Sequence, residues 1–167
     1  MAAGSLAYPL EEVLNVKRRR VDEAEREVQR KYEELEREEE ILAEKEAARD
    51  KVLQHHADKM AQMRKVMDEG TTSPEILQMR AYLKVVKVRV AEEEQKVVEQ
   101  QEQVDIAEKN LEVAKENLRL RRKEVDKLEQ HKEGWLVEAK KELAIEEVRE
   151  ADEMGSVIFL TRMRKQG

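Results

Sequence analysis

Apolar residues recur in the second half of the chain at intervals of seven: Ile76, Leu83, Val90, Val97, Val104, Leu111, Leu118 and Val125 fall in step without an exception. With 40% of the residues hydrophobic, eight such hits in a row would arise by chance roughly once in 1,500 tries per frame. The run is therefore a heptad seam, as found where helices wind around one another. The companion seam position is mixed, with Met79, Val86, Ala107, Ala114, Leu128 and Trp135 interrupted by Glu93, Gln100 and Arg121. Polar residues in a seam weaken its packing but help to fix register. The first half repeats the spacing in Leu14, Val21, Val28, Leu35 and Leu42, then steps eleven residues to Leu53 and continues through Met60 and Met67. That step is a four-residue stutter, which locally unwinds a left-handed supercoil, and Val125 to Leu136 is an equal step.

Between the stripes lies Asp68-Glu69-Gly70-Thr71-Thr72-Ser73-Pro74-Glu75. Gly70 suits the left-handed conformation that ends a helix, Thr72 or Ser73 can cap the next helix, and Pro74 fits its first turn. A continuous parallel homodimer has no use for such signals in mid-chain. The expected fold is all-α, a long antiparallel two-helix coiled-coil hairpin forming a single domain. Helix 1 is expected over residues 9–69, the turn over 70–73 and helix 2 over 74–153. Residues 1–8 are expected to be a disordered N-terminal segment and 154–167 a partly ordered tail. Facing residues should have numbers summing to about 142, because antiparallel seams set position a against d. This places Val28 against Ala114, Leu35 against Ala107, Ala24 against Leu118 and Leu14 against Leu128. The helices would be roughly 90 and 115 Å long at 1.5 Å per residue, so the second overhangs.

Composition narrows the function. The chain has 167 residues, of which 43% are charged and 3% aromatic, a profile of long helices and not of a packed globule. A disordered chain would not need its apolar residues in register. Cysteine is absent, so there is neither a disulfide framework nor a thiolate zinc site. His55, His56 and His131 lack metal-ligand spacing, and no glycine-rich phosphate loop occurs. The sequence therefore predicts no enzyme, no catalytic or metal residues and no cofactor. No apolar run is long enough to span a bilayer, and the N-terminus lacks the regions of a signal peptide, so direct membrane insertion is not expected. The expected location is cytoplasmic. A net charge of −6 argues against nucleic acid as a partner.

Folding the chain on itself zones the charge. Lys17, Arg18, Arg19 and Arg20 come level with Arg119, Arg121, Arg122 and Lys123 in a basic collar near the termini. Above it, residues 33–50 and 93–110 make an acidic belt of about −10. The collar is one candidate partner-binding surface, and the turn residues Gly70, Thr71, Thr72, Ser73 and Pro74 are a second, over a seam rich in methionine. Trp135 either pins Tyr8-Pro9-Leu10 against helix 2 or anchors a partner. Phe159, in the apolar run Val157–Leu160, is a further candidate contact without a partner helix beside it.

Several pieces outside the heptads carry a resemblance. Tyr8-Pro9-Leu10-Glu11 with Val13-Leu14, Arg20-Val21-Asp22, the tip Gly70-Thr71-Thr72-Ser73, Met79-Arg80-Ala81-Tyr82-Leu83-Lys84-Val85-Val86, His131-Lys132-Glu133 with Trp135, and Asp152-Glu153-Met154-Gly155 resemble the chlamydial branch of the type III secretion YscO family, a relative of flagellar FliJ. The resemblance implies a central stalk or escort protein, similar in shape to the coiled coil of the rotary ATPase gamma subunit. Such a protein would set its termini end in the hexameric secretion ATPase and reach the export-gate protein with the other end. Secretion chaperones and the needle-length regulator are further implied partners, and the implied location is peripheral to the inner-membrane export apparatus. The protein alone would be a monomer. The family's contacts sit on no short motif that transfers residue by residue. The alternative from another class is a structural coiled coil that self-associates into filaments.

Overall fold

The computed structural model describes residues 6–167, and in these it contains two helices and no strand. Helix α1 runs Glu11–Glu69 and helix α2 Ser73–Gln166. This is the all-α, antiparallel two-helix coiled-coil hairpin that the seams predict. Each helix begins and ends where its local chemistry directs. At the start of α1 the Leu14 amide donates to the Leu10 carbonyl at 2.9 Å, and Glu11 and Glu12 stand in the first turn, where the helix dipole favours acids. Gly70 ends α1 with φ +90°, a left-handed conformation that a side chain would strain. The Ile76 amide donates to the Thr72 carbonyl at 3.2 Å, and the Thr71 hydroxyl donates to the Glu75 carboxylate. The first is the opening intrahelical bond of α2, and the second ties the turn to the first turn of that helix.

The helices form two compact units, one made of the chain up to Ala24 with Leu118–Gly167 and the other of Glu25–Asn117. In the second, the tip unit, the buried stripe of α2 is Leu83, Val86, Val104, Ala107, Leu111 and Ala114. The facing residues of α1, among them Val28, Leu35 and Leu42, are half-buried. The α2 stripe mixes leucine with valine and alanine, and such a mixture of sizes lets two facing helices interdigitate. Gln100 sits in this stripe at 5% exposure, and its amide donates to the Glu38 backbone carbonyl at 3.0 Å and to the Glu38 carboxylate. A buried amide bonded to one specific turn of the facing helix penalises any sliding of the seam. Gln100→Ala removes both bonds, one of them to a charged carboxylate, and should cost about 1–3 kcal/mol. Gln100→Leu should cost less and loosen the register, which disulfide trapping at shifted cysteine pairs would detect.

In the termini unit, Leu14 is fully buried, and Ala24 and Leu118 are nearly so. Tyr8 is only 5% exposed. A disordered segment is expected over residues 1–8, of which residues 1–5 lie outside the described residues; Leu6 and Ala7 are exposed, and Tyr8 departs from the expectation. Its hydroxyl bonds His131 Nδ1 at 2.7 Å, its ring meets the edge of Trp135 at 5.6 Å between centroids, and Lys132 Nζ lies 5.9 Å from the ring. Helix α2 also differs from expectation, because it continues through residues 154–166 where a partly ordered tail was foreseen. A lone glycine inside a helix costs about 1 kcal/mol, which neighbouring Met, Leu and Arg residues absorb. Gly155 does not take the left-handed conformation that stops α1 at Gly70. Arg164 and Lys165 stand in the last turn, where cations are favoured.

Candidate protein-binding surfaces

The eight basic collar residues fall into two groups. Lys17 donates to Glu124 at 2.9 Å, Arg121 approaches the same carboxylate at 3.5 Å, and Arg18 donates to Glu129 at 3.2 Å. Arg119 and Arg122 are engaged as well. Among the described residues no side-chain hydrogen bond or ion pair involves Arg19, Arg20 or Lys123, and all three are exposed. The collar is thus partly spent on holding α1 to α2, and three cations remain for a partner. The Arg121–Glu124 pair is three residues apart and local in sequence, whereas the Lys17–Glu124 and Arg18–Glu129 pairs join the two helices and have no local signature.

Glu124 reports this division directly. The hydrogen bond from Lys17 holds its carboxyl below the ordinary carboxylate range, against a smaller opposing effect of partial burial, with the charges of Lys17 and Arg121 adding to the lowering. A carboxyl whose folded-state pKa is lowered stabilises the fold above its unfolded-state pKa, and that stabilisation is lost as pH falls through the folded-state value. Lys17→Met should therefore move the Glu124 titration, followed by side-chain NMR, back up toward the ordinary range. An unmoved titration would mean that the pair does not form in solution.

Trp135 is half-buried beside Tyr8, so its ring is occupied inside the termini unit. Phe159, by contrast, is 62% exposed, and every residue from Lys140 to the end of α2 is exposed. In the tip unit, Gly70, Thr72, Ser73 and Pro74 are exposed, while Thr71 is half-buried. Beside the turn, Lys59, Met63, Met79, Tyr82 and Leu83 line an open groove of about 340 Å³. Tyr82 is fixed there by a bond from its hydroxyl to His55 Nε2 at 2.8 Å and by Lys59 Nζ 5.9 Å from its ring. The methionines were visible in the sequence as seam residues; the His55–Tyr82 contact, between helices and off the heptad, was not. No group of His, Cys, Asp and Glu side chains among the described residues could hold a metal ion.

Residues 5–165 match the YscO-like protein family. The chain belongs to that family. Its fold agrees: a Chlamydia trachomatis protein, CT670, described as a YscO homolog, has a solved structure that is 49% identical to this chain, with a TM-score of 0.90 over 97% of this chain and 99% of that one. Half of this chain (50%) also matches, at 52% identity and a TM-score of 0.48, 96% of a chain in the structure of the Chlamydia pneumoniae CdsV and CdsO protein complex. Among curated proteins nothing matches. The YscO-like family is a type III secretion accessory family and not an enzyme family. No helix among the described residues is long and apolar enough to cross a membrane.

Proposed function

We propose that this YscO-like chain is a central stalk and escort of type III secretion. The termini unit engages the hexameric secretion ATPase, and the tip unit engages the export-gate protein. Secretion chaperones and the needle-length regulator are partners of the same molecule in its escort role. The observation that carries the reading is the set of three exposed cations, Arg19, Arg20 and Lys123, left without an internal partner in the unit that holds the chain termini. Cations that serve no internal pairing favour an acidic surface on another molecule and speed its encounter. At the tip, the groove beside Met63, Met79 and Tyr82 supports adaptable protein contact, because methionine repacks against varied surfaces. Co-sedimentation of the whole chain with the cognate ATPase, and separately with the cytoplasmic domain of the export-gate protein, tests the reading. Binding to both is expected. Failure to bind the ATPase at low salt would remove the stalk.

A further inference from the structure

The exposed part of α2 is not a plain continuation of the seam. The face that α2 offers to α1 passes through Leu136, Ala139 and Leu143 and then meets Glu146, Glu147 and Glu150. A second line of apolar or small residues begins where the first fails: Val148, Ala151, Gly155 and Ile158, spaced three and four apart, with Phe159 four beyond Gly155. At 3.6 residues per turn it is rotated by roughly 120° from the seam. Val148 is 61% exposed and Ile158 50%. This stripe has no counterpart on α1, whose first residue is Glu11, and the last half-buried residue of α2 is Ala139. A single unpaired helix is marginal in water, so a second stripe on this segment calls for a second helix.

Charge says which helix. Residues 142–153 carry six acids, Glu142, Glu146, Glu147, Glu150, Asp152 and Glu153, against Arg149, whereas residues 154–167 carry Arg162, Arg164 and Lys165 and no acid. A helix with an acidic half and a basic half is complementary to its own copy run in reverse. A parallel copy would set like charge on like. We propose that two copies of this chain pair antiparallel through the second stripe, Gly155 of each facing Ile158 of the other. The absence of a side chain at Gly155 admits the bulk of Ile158. The same register sets Arg162 and Lys165 of one copy over Ala151 and Val148 of the other, beside Glu147 and Asp152, and symmetry repeats these contacts. Such an interface is closed, so it yields a dimer and not a filament. It replaces the monomer expected of the hairpin alone, and it does not depend on the stalk reading.

Sedimentation equilibrium of the whole chain across the micromolar range should show the mass rising from one chain to two and stopping there. Phe159→Glu should raise the dimer Kd by about tenfold or more, and so should the pair Arg162→Glu and Lys165→Glu. Adding Glu147→Lys and Asp152→Lys to that pair should restore dimerisation, because the swapped charges again meet their opposites. These residues are exposed in the single chain, so circular dichroism should report unchanged helicity at low concentration. A monomer at every concentration, assembly beyond two chains, or a charge swap that fails to restore pairing would overturn the proposal.

Discussion

Reversing Arg19, Arg20 and Lys123 to glutamate should weaken binding to the secretion ATPase by about a hundredfold or more, because each change replaces an attraction with a repulsion across the interface. The three side chains are exposed and serve no internal pair, and glutamate matches arginine and lysine closely in helix propensity. Helicity and melting temperature should therefore stay as in the parent chain. Arg18 and Arg121 are poor choices for this test, since they help bind Glu129 and Glu124 within the termini unit, and their loss would mix folding with docking. Binding of the parent chain should also fall as salt is raised toward 1 M, where screening acts within about 3 Å. Titration calorimetry with the triple variant checks both expectations; unchanged affinity would mean that these cations do not face the ATPase.

Leu14→Ala should be the most damaging single truncation in the termini unit. Leu14 is fully buried there, and removing a buried leucine side chain costs about 2–5 kcal/mol through lost burial and the cavity left behind. Alanine recovers only about a few tenths of a kcal/mol through its better helix propensity. Val16→Ala, at a site that is 42% exposed, should cost well under half as much and serves as the control. Urea denaturation followed by circular dichroism measures both. Equal costs at the two positions would contradict the packing of Leu14 against α2.

The hairpin was legible in the sequence because its two strongest signals are local. A seven-residue repeat names the buried stripe, and Gly70 with Pro74 marks the break between helices. The resemblance to the YscO family rested on the same turn and on pieces outside the repeat. What escaped the sequence depends on neighbours far along the chain. Register alone sets Trp135 against Tyr8, and the structure bears out that contact; the His131 imidazole that bonds the Tyr8 hydroxyl has no signature in the sequence. In the collar, the partners of Lys17 and Arg18 lie more than a hundred residues away, which hides them from a sequence reading. Gln100 read as an interruption, and only the Glu38 carbonyl beside it shows why a seam tolerates it. The end of α2 was misjudged for a different reason. The seam gives no pairing beyond residue 153, yet residues 154–166 continue α2 without a break.

The stalk reading is tested most directly by measuring ATP hydrolysis and hexamer formation of the cognate secretion ATPase as the whole chain is titrated in. Both should rise to a plateau, and the Arg19, Arg20 and Lys123 reversal should abolish the rise. No change in hydrolysis or assembly with the parent chain, at salt low enough for charge to act, would contradict the account.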